Sequence, residues 1–160
     1  MPLIVNLRHL EKHDVNLRGE LPMAEVDLDL HDEMIRAAEP LRHELEVQLL
    51  EDSLLVRGRL RLTLTCQCVR CLKPFRREVE LNPWTRHLPL AGEESVPVVN
   101  DCIDLTPCVR EDMLLEFPRH PLCRPDCPGL EKPKTGKTRN TGEKDEKKPS
   151  AWAELDKLKL

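Results

Sequence analysis

The sequence predicts an α+β protein. It reads as a small antiparallel sheet, a meander curled toward a barrel, with one main helix and a flexible C-terminal tail that ends in a short helix. Three observations carry this. Residues 54–65 alternate apolar and cationic side chains without a break, as one strand with one wet face must. Similar alternation flanks them at 43–50 and 76–84, with only short connections between, which suits antiparallel neighbours. One later segment, after Ile103-Asp104-Leu105-Thr106-Pro107, has apolar residues at helical spacing.

Taken in order, Leu3, Val5 and Leu7 share a parity and predict a short strand over 3–7. Residues 8–22 are polar and irregular, and Arg18-Gly19-Glu20-Leu21-Pro22 reads as a turn into a second short strand, in which Val26, Leu28 and Leu30 alternate with Asp27 and Asp29. His31 to Ala38 reads as a helical turn stopped before Pro40. Leu45, Val47 and Leu49 define the next strand, and Glu51-Asp52-Ser53 a tight turn. In the strand over 54–65, Val56, Gly58, Leu60, Leu62 and Leu64 face the core, and Arg57, Arg59 and Arg61 face water. Arg76 to Trp84 returns beside it. Residues 88–101 read as an acidic surface loop. In the helix, Asp104 or Thr106 is the N-cap and Pro107 suits the first turn, while Val109, Met113 and Phe117 form the buried stripe.

A chain of 160 residues is one domain plus tails. Residues 1–130 read as the domain, 131–149 as a disordered linker rich in Lys, Thr, Gly and Glu, and 150–160 as an amphipathic helix capped by Ser150. Trp152, Leu155 and Leu158 on that helix are candidates to dock on the body or on a partner. With 2% aromatic residues and no Tyr, the core must be aliphatic. No apolar run resembles an export signal or approaches the roughly 20 residues of a membrane helix, so a cytoplasmic protein with no membrane contact is expected. Seven Cys, an odd number in that setting, favour free or metal-bound thiols over a disulfide framework.

Net charge is −4, which argues against a general nucleic-acid binder, but the charge is unevenly spread. Arg57, Arg59, Arg61, Arg70, Lys73, Arg76 and Arg77 fall within 57–77 with no acid among them. Such a basic ridge on an otherwise acidic body suits a polyanion such as RNA. It equally suits a solvated strand face paired with cross-strand glutamates, for which Glu44, Glu46, Glu78 and Glu80 are placed.

The thiols come in pairs. Cys68 and Cys71 are separated by two residues and Cys123 and Cys127 by three, within a Pro/Gly turn. Four thiolates from two such pairs can hold one zinc ion. Cys66 is a spare thiol and His120 a spare ligand, while Cys102 and Cys108 read as packing positions. Two other readings stand beside zinc. The pairs are free thiols, with Cys66 a small buried hydrophobe, or Cys68-Val69-Arg70-Cys71 is a thiol–disulfide pair activated by its cations. The latter motif does not open a helix, as thioredoxin-like pairs do. No phosphate loop, triad order or facing carboxylate pair suggests an enzyme.

The order of these features resembles the YceD family, the large ribosomal RNA subunit accumulation proteins. The resemblance is carried by Gly19-Glu20-Leu21-Pro22, Val56-Arg57-Gly58, Thr65-Cys66-Gln67-Cys68-Val69-Arg70-Cys71-Leu72-Lys73-Pro74-Phe75 and Ile103-Asp104-Leu105-Thr106-Pro107. Further on it is carried by Val109 to Pro118, by Pro121-Leu122-Cys123-Arg124-Pro125-Asp126-Cys127-Pro128-Gly129-Leu130, and by Ala151-Trp152-Ala153-Glu154-Leu155. It implies a non-enzymatic role in large-subunit assembly, with rRNA, a pre-ribosomal particle or a large-subunit ribosomal protein as partner. The rival expectation is a zinc-stabilised protein adaptor that touches no RNA. Many members of the family follow the second Cys pair at once with further thiols. Here Leu130 is followed by Glu131-Lys132-Pro133-Lys134, so a zinc site must join Cys68 and Cys71 to Cys123 and Cys127.

Overall fold

The computed structural model describes residues 2–28, 30 and 32–131. In chain order the elements are β1 (Ile4–Asn6), α1 (Leu7–Leu10), β2 (Val15–Leu21), α2 (Met23–Val26), β3 (Ile35–Arg36), β4 (Leu41–Leu50), β5 (Ser53–Gln67), β6 (Pro74–Pro89), β7 (Cys102–Asp104) and α3 (Thr106–Leu115). The expected class holds: a curled antiparallel sheet dominates and α3 is the main helix.

β5 is the axis of the sheet. Along one edge it pairs with β4 through residues 53–61 and then with β3 at Thr65 and Cys66; along the other it pairs with β6 over its whole length. β2 extends the sheet beyond β4, and every pairing is antiparallel. The alternation of β5 does what its pattern demands. Leu54, Val56, Leu60, Leu62 and Leu64 are all 0% exposed, and each fully buried aliphatic side chain of this kind contributes roughly 1.5–3 kcal/mol. Leu41, Leu45 and Val47 of β4 and Val79, Trp84 and Leu88 of β6 complete the same layer.

Gly58 sits where β4 comes closest. A Cβ there would overlap the backbone carbonyl of Glu44, so the position accepts no side chain. Opposite it, the register with β6 shifts between Gly58 and Leu60, at a bulge that contains the cis Asn82–Pro83 bond.

Helix α3 is fastened at both ends. Leu3 donates its N–H to the Thr106 hydroxyl (3.0 Å), and Asp104 Oδ1 accepts from the Thr106 N–H (2.9 Å). Pro107 lies in the first turn, as expected. Val109 and Met113 are buried, and the Trp84 indole N–H donates to Asp112 at 2.7 Å, tying the helix to β6. The small sheet of β1 and β7 closes the same end.

Four local expectations are corrected. Arg18 to Leu21 belong to strand β2 rather than to a turn, because β4 offers a paired edge from Leu41 to Val47. The segment after Pro22 is a helical turn ending at Asp27, which adopts φ 44°, and not a strand; Val26 and Leu28 are nonetheless buried. Conversely, the stretch read as a helical turn contains β3, recruited by the part of β5 that β4 leaves uncovered. The return strand is also longer than its alternation suggested, running from Pro74 to Pro89. The linker expected over 131–149, apart from its first residue, and the terminal helix with Trp152, Leu155 and Leu158 lie outside the described residues.

Candidate metal centre

Cys68 is the first residue after β5, and Lys73 the last before β6, so the first thiol pair caps the longest hairpin of the protein. The cap is a tight knuckle. The Cys68 N–H donates to the Lys73 carbonyl (3.0 Å), and the Leu72 N–H returns to the Cys68 carbonyl (2.8 Å). Leu72 adopts φ 60°, left-handed backbone that a branched residue adopts only where its surroundings hold it. Gln67 reaches across with Nε2 to the Leu72 carbonyl at 2.9 Å.

The second pair arrives by way of α3. The prolines at 118 and 121 end the helix, and the chain turns onto the hairpin. The Val69 N–H donates to the Pro121 carbonyl (3.0 Å) and Arg70 Nη1 to the Cys127 carbonyl (3.2 Å). Gly129, where the chain passes over Arg70, has φ 89°, a conformation that favours glycine.

These connections bring four sulfurs together. Cys68 Sγ lies 3.7 Å from Cys127 Sγ, and Cys71 Sγ lies 3.8 Å from Cys123 Sγ. All four lie within 4.8 Å of one another. Each close contact joins one residue of the hairpin to one of the later turn. The separations are far beyond the roughly 2.05 Å of a disulfide bond. They match the edge of a tetrahedron whose centre-to-sulfur distance is about 2.3 Å, which is about 3.8 Å. Cys68 and Cys127 are buried; Cys71 and Cys123 lie nearer the surface.

The electrostatics are those of thiols sharing one space. Backbone amides of Cys123 and Cys71 donate to the Cys68 sulfur and draw its pKa down to about 6, against the cost of burial. Cys123 is pushed up to about 12, first by desolvation and then by hydrogen bonding and repulsion among its neighbours Cys127, Cys68 and Cys71. One thiolate is easily formed and the last is hard to form without a cation.

The other thiols stand apart. Cys66 is 1% exposed on the core face of β5, between Ile35 and Phe75, and burial raises its pKa. Cys102 accepts a hydrogen bond from Asn6, and Cys108 is half-buried with its pKa raised by desolvation. His120 is not part of the sulfur cluster.

The cationic ridge has a different character in three dimensions. Arg57 pairs with Glu46 (3.1 Å), Arg59 with Glu80 (3.2 Å), and Arg61 with Glu78 and Glu80 (3.5 and 3.4 Å). Arg76 pairs with Glu39. Arg42 meets Glu20 and Arg18 meets Glu44 on the same face. Five arginines of this ladder, at 18, 42, 57, 59 and 61, are thus matched by five glutamates at 20, 44, 46, 78 and 80. Arg70, Lys73 and Arg77 lie off the ladder, on or beside the knuckle, and have no ion pair among the described residues.

Fold and site together define a class: an antiparallel-sheet protein whose longest hairpin is stapled to a distant turn by four thiols. The chain belongs to the YceD family, since the family model described as "Large ribosomal RNA subunit accumulation protein YceD" matches residues 56–159, a span that includes both thiol pairs. Among curated proteins, uncharacterized proteins of Mycobacterium tuberculosis and Mycobacterium bovis are each 34% identical over 95 residues, covering 54% of this chain and 46% of theirs. An uncharacterized protein of Mycobacterium leprae is 29% identical over 116 residues, covering 68% of this chain and 52% of its own. The chain thus spans about half the length of the curated relatives it matches. No solved structure matches it. No helix among the described residues is long and apolar enough to cross a membrane.

Proposed function

We propose that this chain is a non-enzymatic, cytoplasmic factor in the accumulation of large-subunit ribosomal RNA, and that one zinc ion bound by Cys68, Cys71, Cys123 and Cys127 holds its binding surface in shape. The reading of its role rests on family membership. The reading of the metal rests on one observation, the two cross-pairs of sulfurs at 3.7 and 3.8 Å, the edge length of a zinc tetrathiolate.

The donor set fits zinc: four soft thiolates, two of them buried, and backbone N–H groups directed at Cys68. When bound, the ion supplies a rigid cross-link and no open coordination position, since a catalytic zinc keeps one site for water or substrate. The residues of the chain do the rest. Leu72 and Gln67 fix the knuckle, and Pro121 and Arg70 dock the second turn on it. Thiol–disulfide chemistry is less well supported, because the readily ionised thiol, Cys68, is 0% exposed, while the exposed thiol, Cys123, is the one pushed up to about 12.

Two measurements test this. Native mass spectrometry of the purified chain is expected to show one zinc per chain, lost on chelation; a metal-free native mass rejects the metal. In cells deprived of the chain, the ratio of large- to small-subunit rRNA is expected to fall, and to recover with the wild-type chain but not with Cys68→Ser. An unchanged ratio rejects the role.

A further inference from the structure

The structure separates two sets of cations that the sequence runs together. The ladder set is balanced by glutamates from β2, β4 and β6. Phosphate could take those arginines only by displacing carboxylates already in place. The knuckle set is different. Arg70 and Lys73 on the knuckle, Arg77 near the start of β6, and Arg119, two residues before the Pro121 that bonds Val69, are exposed and have no ion pair among the described residues. Arg124 meets only Asp126, at 3.6 Å and with both side chains largely in water. Between 68 and 77 there is no acid at all, and between 119 and 130 only Asp126.

The metal must be included in this balance, since four thiolates with one divalent ion carry a formal charge of about −2. Two of the sulfurs that carry it, Cys68 and Cys127, are buried, and Cys71 and Cys123 lie nearer the surface. The exposed cations outnumber it. Beside them Val69 and Leu72 are 39% and 48% exposed, apolar side chains that the knuckle holds in water. A rigid surface with cations around exposed aliphatic tips matches an unpaired nucleic-acid strand, whose phosphates meet the cations and whose bases meet the apolar tips.

We propose that the four-thiol knuckle, and not the strand ladder, is the surface that meets RNA, with Arg70, Lys73, Arg77, Arg119 and Arg124 on the phosphate backbone. The inference rests on the reading of the chain as a factor for large-subunit rRNA, and it commits that reading to direct RNA contact at one end of the sheet. Contact of this kind is strongly salt-dependent and reads little sequence.

The test uses the full zinc-loaded chain and a fluorescein-labelled single-stranded RNA 20-mer of mixed sequence, followed by anisotropy across a salt series. Lys73→Glu combined with Arg77→Glu is expected to weaken binding at least tenfold. Replacing two single-strand phosphate contacts should also flatten the slope of log K against log salt by about 1.4. Arg42→Gln, on the ladder, is expected to leave both unchanged, and circular dichroism with zinc content checks that each variant is folded. Two results overturn the proposal: no binding by the wild-type chain at low salt, or an equal loss from Arg42→Gln. If either of these occurs while the rRNA ratio in cells still depends on the chain, the broader role stands and only the RNA contact at the knuckle falls.

Discussion

Cys68 and Cys127 hold their sulfurs 3.7 Å apart across 59 positions of sequence, and this contact closes the largest loop at the site. It joins the end of β5 to a turn with no strand or helix of its own. Apart from a few backbone bonds, the sulfur cluster is what holds that turn in place.

Removing one sulfur should therefore release metal and turn together. Cys127→Ser is expected to lose the single zinc. Structural zinc in zinc-finger peptides is bound with an apparent free energy of about 10–16 kcal/mol at neutral pH, and this binding energy is also folding energy, so a weakened site should loosen the turn it holds. Native mass spectrometry reads the metal, and hydrogen exchange reads the turn: amides 121–130 should exchange faster while those of β4 and β5 stay protected. Chelation of the wild-type chain should reproduce both changes, and chelation of the variant should add nothing.

Gly58 supports the sheet at its tightest crossing. An added methyl group would collide with the Glu44 carbonyl and stand 2.9 Å from the Leu45 Cα, all of it backbone that cannot rotate away. Gly58→Ala is expected to lower stability by about 1–3 kcal/mol, seen as a lower urea midpoint at unchanged slope. Gly19→Ala is the control, since its Cβ would make only ordinary contact with the His43 ring, at 3.5 Å. It should change stability by less than about 0.5 kcal/mol.

The parts of this fold that were legible in the sequence were those where one pattern had one cause. Leu54 to Thr65 alternates because one face is core and the other water, and β5 follows. The four thiols could be grouped because no others follow Leu130, and the sulfurs do meet. The misread segments had two causes in competition. Val26, Leu28 and Leu30 have a strand's period, yet Pro22 starts a helical turn and Asp27 ends it in a left-handed conformation. Gly19 and Glu20 look like a turn until an edge of β4 is there to pair them. The ridge was legible as positive, and Glu44, Glu46, Glu78 and Glu80 could be named as its partners, but the choice between polyanion contact and neutralisation stood open. Its glutamates come from strands whose register sets which charge faces which: Arg59 opposite Glu44, and Arg61 opposite Glu80.

Asp112 anchors α3 to the sheet. Its carboxylate accepts the Trp84 indole N–H at 2.7 Å and pairs with Arg86 at 3.3 Å, and its side chain is 18% exposed. Asp112→Ala leaves the largely buried indole N–H without an acceptor and is expected to cost about 1.5–3 kcal/mol. Asp112→Asn keeps an acceptor and should recover part of this. Urea unfolding followed by Trp84 fluorescence, in a Trp152→Phe background so that one indole reports, distinguishes the two. Equal midpoints for Asp112→Ala and wild type would remove the anchor role.

His43 gives the fold a pH dependence of definite sign. It lies on the buried face of β4, 8% exposed between Gly19 and Leu60, and its Nδ1 has no hydrogen-bond partner among the described residues. Burial lowers its pKa below the usual 6.5, because the charged ring would lose its water. The unfolded chain takes up the proton near 6.5 while the folded chain still resists it. Between those two values the unfolded state binds more protons, so stability present above pH 6.5 declines as pH falls. The slope is at most about 1.4 kcal/mol per pH unit, and the decline levels off below the folded pKa. His43→Leu removes the group, so the difference in unfolding free energy between variant and wild type should grow in favour of the variant as pH falls from 7 to 5. A difference that stays constant over that range would show that His43 does not change its proton affinity on folding.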